Sequence, residues 1–253
     1  MTDHTKKDYG EQTLFLSDDK IFYTLDGEGE YVGWPSVFMR LSMCNLTCKG
    51  FASKDAPYGC DSFVSWKIKN KLTFRELVAI LETEGFQDHL HNGAIWKITG
   101  GEPLIQQSAL LKLLVYIEAR WGWVPKIDLE TNATIMPDEY WIRVGATFTT
   151  SPKLSNNGDP EGKRYKPEVL RWHVCKGSGF KFVVNKQSDL DEVFEKYIGP
   201  FNIPRDRVWL MPCAGSRVEH IEAAQTIAEL AKKYRLKFSP RLHLLLWDTA
   251  LKA

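Results

Sequence analysis

Short apolar runs recur along this chain, and several are separated by segments with helical spacing. Residues 36–43 (SVFMRLSM), 94–99 (AIWKIT), 126–130 (KIDLE), 146–150 (ATFTT), 180–184 (FKFVV), 207–211 (RVWLM) and 236–238 (LKF) read as buried strands. Thr73 and Glu76 make a capping-box pattern at the head of TFRELVAILETEGF, and Gly85 can stop that helix. Ser108 is placed to cap ALLKLLVYIEAR, and IEAAQTIAELAKKYR (221–235) carries apolar residues at helical spacing. Strand then helix, repeated, specifies an α/β fold with a largely parallel sheet. With 253 residues and 43% hydrophobic content the chain has ample core for one domain spanning 1–253.

Nearly every apolar run stops at a polar or glycine-bearing cluster: SMCNLTC, TGGEP (99–103), ETN (130–132), TSPK (150–153), MPCAG (211–215) and SPRLH (239–243). In parallel α/β folds the strand C-termini share one rim, where ligand-binding loops collect. These clusters therefore predict one composite site. Loops at strand ends are polar for ordinary reasons too, so the chemistry must come from particular residues.

Cys44, Cys48 and Cys60 supply it, with gaps of three and eleven residues. Structural zinc takes four closed ligands, so a zinc reading must borrow Cys175, Cys213 or a distant histidine. An iron–sulfur cube also normally takes four thiolates, and three leave one iron with an open position. Five cysteines in total, an odd number, do not read as a secreted disulfide framework. The opening MTDHTKKDYGEQ has no apolar signal core and no stretch is long enough to span a membrane, so a cytoplasmic setting is expected. A net charge of +1 predicts no broad attraction to nucleic acid, and the lysines between 67 and 71 read as a solvated face.

An open iron makes the radical S-adenosylmethionine superfamily the natural comparison. Cys44-Asn-Leu-Thr-Cys48 resembles the first half of its C-x3-C-x2-C signature, with the second gap widened. Thr99–Pro103, TGGEP, resembles its GGEP segment, and glycines there let a ligand approach bare backbone. The flanks narrow the match: IFYTLDGEGE (21–30) and GWPSVFMRL (33–41) lead into Cys44, and Asp61-Ser62 follow Cys60. LETN (129–132), SPK (151–153) and SPRLHLLLW (239–247) come after in order. The set, over about residues 20–249, resembles the 7-carboxy-7-deazaguanine synthases.

That resemblance implies a partial (β/α)6-type barrel and a radical ring contraction of 6-carboxy-5,6,7,8-tetrahydropterin to 7-carboxy-7-deazaguanine with loss of ammonia. It implies a [4Fe–4S] cluster on Cys44, Cys48 and Cys60, S-adenosylmethionine used catalytically, and Mg²⁺ held partly by the Ser62 hydroxyl. Leu25, Asp26, Gly27, Glu28, Arg40 and Thr99 fall in substrate-binding positions, and Glu130 and His243 where the pterin is hydrogen-bonded. Gly101, Glu102, Ser151, Pro152, Lys153 and the Met211, Pro212, Cys213, Ala214 segment fall around S-adenosylmethionine. A flavodoxin or ferredoxin as electron donor and a homodimer are implied as well.

Several positions depart from the family pattern. Asp26 replaces a glutamine, Met211-Pro212-Cys213 replaces a glutamine-proline segment, and FASKDAPYG is inserted before Cys60. Tyr58 is a candidate aromatic for the adenine, Cys213 is expected to be a buried small residue, and Cys175 has no partner motif. Two rival readings are a glycyl-radical activating enzyme and a non-catalytic metal-binding module. The first does not explain LDGEG or SPRLHLLLW, and the second does not explain GGEP, ETN and SPK on successive strand ends.

Overall fold

Among the described residues, seven strands run parallel in one sheet, with two antiparallel strands added at one edge. The computed structural model describes residues 9–49, 60 and 67–249. Its strands are β1 (Thr13–Leu25), β2 (Pro35–Leu41), β3 (Asn70–Thr73), β4 (Ile95–Gly100), β5 (Ile127–Thr131), β6 (Thr147–Thr150), β7 (Gly179–Val184), β8 (Val208–Pro212) and β9 (Lys237–Phe238). They order as β3-β1-β2-β4-β5-β6-β7-β8-β9, parallel from β2 onward. β1 is antiparallel to β2 and to β3. This is an α/β fold whose open sheet has the architecture of a partial barrel.

β1 and β3 are additions to the strands expected from the apolar runs. Charged residues interrupt β1 between Leu16 and Ile21, where its register with β2 shifts. An irregularity of that kind breaks the alternation by which a strand is recognised. β3 takes in Lys71 of the lysine-rich run, and Lys67, Lys69 and Lys71 are exposed, as a solvated face requires.

The two faces of the sheet have opposite character. Val37, Met39, Leu41, Trp96, Ile98, Ile127 and Leu129 pack outward with Leu77 and Leu81 of α1 (Phe74–Thr83) and Leu110, Leu113 and Ile117 of α2 (Gln107–Trp121). Phe180, Phe182, Val208 and Leu210 form a second core with Val169 and Leu170 of α3 (Pro167–Cys175) and Ile227 and Ala231 of α4 (Arg217–Tyr234). Successive side chains alternate across a strand, so the intervening residues face inward. They include Lys97, Thr99, Asp128, Glu130, Thr147, Thr149 and Lys181. A polar face under a parallel sheet is unusual, since such sheets are ordinarily apolar on both sides.

Helix boundaries follow their caps. Thr73 and Glu76 form the reciprocal capping box of α1, and Gly85 takes φ 75° just past its end. Ser108 lies inside the first turn of α2 instead of capping it, because a short turn over Pro103–Gln106 delivers the chain two residues earlier and makes Gln106 the N-cap. α4 starts at Arg217, where the Ser216 hydroxyl accepts from the Glu219 N–H, so it extends beyond the periodic segment. Among the described residues no helix is long and apolar enough to cross a membrane.

One buried histidine ties the outer packing to pH. His173 lies edge-on to the Phe148 and Trp172 rings, and Nδ1 is 2.9 Å from the Ser178 hydroxyl. Burial lowers its pKa to about 3. The unfolded chain takes a proton on this residue near pH ~6.5, whereas the folded chain stays neutral, so stability is full above that pH and falls as pH drops toward about 3. The slope from this one group is at most about 1.4 kcal/mol per pH unit. Urea unfolding at pH 7 and pH 5 is expected to show a smaller drop in midpoint for His173→Leu than for the unsubstituted chain. Equal drops would refute the assignment.

Candidate active site

The rim of the site begins where β4 passes β2. Gly100 has φ 135°, and a Cβ on it would lie 2.1 Å from the Leu41 carbonyl oxygen. A Cβ on Gly101 would lie 2.1 Å from the Met43 oxygen and 2.9 Å from Cys44 Cβ. Only bare backbone permits the Gly101 N–H to donate to Leu41 O (3.1 Å) and the Glu102 N–H to Met43 O (2.9 Å). The two glycines of TGGEP therefore press this turn against the start of the cysteine loop.

Glu102 then fastens the turn to the next strand end. Its carboxylate is fully buried and accepts from the Thr131 hydroxyl (2.9 Å), the Asn132 N–H (2.7 Å) and the Leu104 N–H (3.1 Å). Burial pushes this carboxyl up to about 7 despite those donors. Asn132 continues outward, donating from Nδ2 to Asn45 Oδ1 (3.0 Å), while Asn45 donates to the Thr134 hydroxyl (2.8 Å). The ETN turn thus grips Asn45 between the first two cysteines. On the loop's other flank, Asp159 accepts from the Thr47 N–H (2.9 Å) and hydroxyl (2.7 Å). Cys44 and Cys48 are half-buried, and burial raises the Cys44 thiol above its ordinary value, with Glu102 and Cys48 adding to the rise.

Below the rim, the inward side chains form rows across adjacent strands. Strand register pairs Arg40 with Thr99, and Glu130 with Thr149. Thr99 Oγ1 donates to Glu130 Oε2 at 2.9 Å and joins the two pairs. One step lower, the Lys97 ammonium meets Asp26 (2.5 Å) and Asp128 (2.8 Å), with Glu130 at 3.9 Å. Asp128 also accepts from the Thr147 and Thr149 hydroxyls. Burial alone would lower the Lys97 pKa, but Asp128, Asp26 and Glu130 outweigh it and hold it above the usual lysine range. Asp26 goes the other way: burial raises its carboxyl in spite of Lys97.

The LDGEG turn enters from β1 and meets the C-terminal segment inside the barrel. Glu28 pairs with Lys181 (2.5 Å) on β7 and with Arg241 Nε (2.9 Å). The Gly29 N–H donates to the Ser239 hydroxyl (2.8 Å) and the Leu242 N–H to Gly27 O (2.9 Å). His243 lies so close over Gly27 that a Cβ there would be 2.3 Å from its Nδ1. Burial would raise the Glu28 carboxyl, but Lys181, Arg241 and His243 together hold it well below the usual range. Glu130 is lowered in the same way, Lys181 and then Lys97 outweighing its burial.

Further round the rim, the Ser151 N–H donates to Thr131 O (2.7 Å), and Lys153 Nζ donates to the Ser151 hydroxyl (3.0 Å). The Cys213 N–H donates to Val184 O (3.1 Å), and the Ala214 carbonyl accepts from Arg241. Met211, Pro212 and Ala214 are buried, while Cys213 is half-buried and not the fully buried residue expected of it; Cys175 is exposed. Cys60 is described and half-buried, but Ser62, Tyr58 and the FASKDAPYG segment lie outside the described residues. Among the described residues no three Cys, His, Asp or Glu side chains are gathered into a ready metal cage.

No family model matches the chain. It is 33% identical to the 7-carboxy-7-deazaguanine synthase of Pyrobaculum aerophilum, over 91% of this chain and 94% of that one. The synthase of Hyperthermus butylicus is 34% identical, over 89% and 90% of the two chains. The chain belongs to the 7-carboxy-7-deazaguanine synthase family. Among solved structures, QueE from Escherichia coli shares the fold with a TM-score of 0.59 and 20% identity, over 88% of this chain and 92% of that one.

Within this family member, Lys97, Asp128, Lys181 and Arg241 are the polar residues that sequence reasoning passed over. A charged residue between apolar ones in a parallel strand (W-K-I, I-D-L, F-K-F) was the available signal. The pairing also accounts for Asp26: its added negative charge meets Lys97 inside the protein. Lys97→Met would leave Asp26 and Asp128 facing each other without a cation. Breaking a buried pair typically costs about 3–5 kcal/mol. The urea midpoint should fall accordingly, and Asp26→Asn in the same chain should recover part of the loss. An unchanged midpoint in Lys97→Met would contradict the pairing.

Proposed function

We propose that this chain is a 7-carboxy-7-deazaguanine synthase, contracting the ring of 6-carboxy-5,6,7,8-tetrahydropterin with loss of ammonia. Family membership over nine-tenths of the chain supports the assignment. The observation that carries it is the inward row Arg40–Thr99–Glu130, lying at the strand ends directly beneath the cysteine loop. Arginine matches a carboxylate as a two-pronged donor, so Arg40 takes the pterin carboxylate. Glu130, kept ionised by Lys181 and Lys97, accepts from pterin N–H groups, and Thr99 fixes its orientation. His243 and the Leu25–Glu28 turn line the opposite side, with Asp26 meeting the pterin through backbone while its carboxylate faces Lys97.

The chemistry of the donors fits an iron–sulfur cluster. Among the described residues Cys44, Cys48 and Cys60 form no disulfide, and soft sulfur is what iron in such clusters takes. These three would hold it. Cluster and S-adenosylmethionine, when bound, supply the radical chemistry that protein side chains cannot. The chain's own contribution is to bind, orient and exclude water. The Gly101 turn, packed against Met43 and Cys44, is assigned the S-adenosylmethionine amino acid moiety, with Glu102, Ser151, Pro152 and Lys153 beside it. Met211, Pro212, Cys213 and Ala214 flank its adenosine. Mg²⁺, a hard cation that favours oxygen, is assigned to the Ser62 hydroxyl and substrate oxygens.

A low-potential flavodoxin or ferredoxin supplies the electron, and the chain works in the cytoplasm as a homodimer. Exposed Val218, Ile221, Leu245 and Leu246, on α4 and on α5 (Leu242–Trp247), are apolar surface of the kind a second copy covers.

Anaerobic reconstitution tests the reading. The chain is expected to bind about four iron and four sulfide, and to lose them in Cys44→Ala. With reductant, S-adenosylmethionine and carboxytetrahydropterin it should release 7-carboxy-7-deazaguanine, detected by mass spectrometry. A full cluster with no such product would remove the assignment. Arg40→Ala is expected to weaken substrate binding at unchanged iron content, seen as a raised KM.

A further inference from the structure

Asn157 stands apart from every residue assigned above, yet its side chain reaches the cysteine loop. It sits on the turn after SPK, is buried, and its Nδ2 lies 3.3 Å from Cys48 Sγ. We propose that Asn157 is a positioning residue whose amide N–H, donated to the Cys48 sulfur, sets the reduction potential of the cluster. The inference rests on the assignment of Cys48 as a cluster ligand.

The network around Asn157 fixes which way its amide points. Oδ1 accepts the Asp159 N–H at 2.9 Å, so the oxygen is committed to a donor. Of the two Nδ2 hydrogens, one meets Asp159 Oδ2 at 3.1 Å and the other meets Cys48 Sγ. Rotating the amide by half a turn would set Oδ1 against both a carboxylate and a sulfur, and NH₂ against an N–H. All three changes are unfavourable, so the donor faces the sulfur. Asp159 is itself held by Thr47, on the same loop one residue before Cys48. Donor and acceptor are therefore mounted on one rigid assembly.

The chemical consequence follows from charge. A ligand sulfur carries more electron density after the cluster gains an electron, and an N–H aimed at it stabilises that state. Hydrogen bonds to cluster sulfurs are among the main determinants of potential, alongside net charge and exposure. Asn157 therefore raises the potential, easing the reduction that must precede cleavage of S-adenosylmethionine.

The loop keeps a second tie that a substitution leaves intact. The Lys49 N–H donates to the backbone oxygen of Asn157 at 2.7 Å, and any residue at this position retains that bond. Asn157→Ala thus removes the N–H···S contact while preserving the backbone link. Asn157→Leu keeps much of the side-chain volume, adds no charge and cannot donate.

The test is a potentiometric titration of the reconstituted cluster, followed by electron paramagnetic resonance, with iron and sulfide measured in parallel. Both variants are expected to carry iron at the unsubstituted level and to be harder to reduce. At a fixed poise the ratio of reduced to oxidised cluster should fall roughly three- to tenfold, where tenfold corresponds to about 59 mV for one electron. An unchanged midpoint in a fully loaded variant overturns the proposal. Loss of the cluster from both variants also overturns it, because the side chain would then serve only to hold the loop. If the unsubstituted chain binds no iron–sulfur cluster, the functional reading fails first, so the two failures are told apart.

Discussion

Glu28 is the point at which the two ends of this fold are joined. Its carboxylate lies between Lys181 and Arg241, 153 and 213 residues away in sequence. The parallel sheet is open, with β3 at one edge and β9 at the other, and among the described residues no strand hydrogen bonds close it. The LDGEG turn and the SPRLH segment bridge the interior instead, through Glu28–Arg241, Gly29–Ser239 and Leu242–Gly27. Buried ion pairs are poor sources of net stability, because desolvation offsets attraction. Their effect here is to fix geometry: Glu28 must face Lys181 with one oxygen and Arg241 with the other, so the turn has one resting place.

That constraint extends into a lattice. Lys97 gathers Asp26 and Asp128, Lys181 gathers Glu28 and approaches Glu130, and on Asp128 the Thr147 hydroxyl donates to Oδ1 while the Thr149 hydroxyl shares Oδ2 with Lys97. The polar inner face is thus ordered before any ligand arrives. Orientation fixed in advance is what a radical reaction demands of its protein, which must hold reacting partners in place and keep other reactants out. The rim above is ordered by different means: glycines that allow backbone contact, and Glu102, Asn132 and Asp159, which hold the cysteine loop from both flanks.

Much of this was legible in the sequence, because the strands that carry rim residues are compact apolar runs ending in recognisable clusters. The order of TGGEP, ETN and SPK placed β4, β5 and β6, and the Thr73–Glu76 box marked α1. Less legible was anything that depends on distant pairing. β1 hides behind its irregular centre, and Lys97, Asp128 and Lys181 looked like interruptions of strands instead of a second pattern. Arg241 and Glu28 could be matched only once the fold had brought them together. Asn157 lies in a turn with no motif of its own, and its meaning comes from the sulfur beside it.

The central claim is that inner face and rim make one site, with pterin below and S-adenosylmethionine above. A crystal structure of the reconstituted chain with S-adenosylmethionine and the pterin substrate tests this most directly. It should show the pterin carboxylate on Arg40, the ring against Glu130 and His243, and the S-adenosylmethionine amino group at the Gly101 turn. A pterin bound elsewhere, with the Lys97 and Glu28 pairs still filling the interior, would contradict the account.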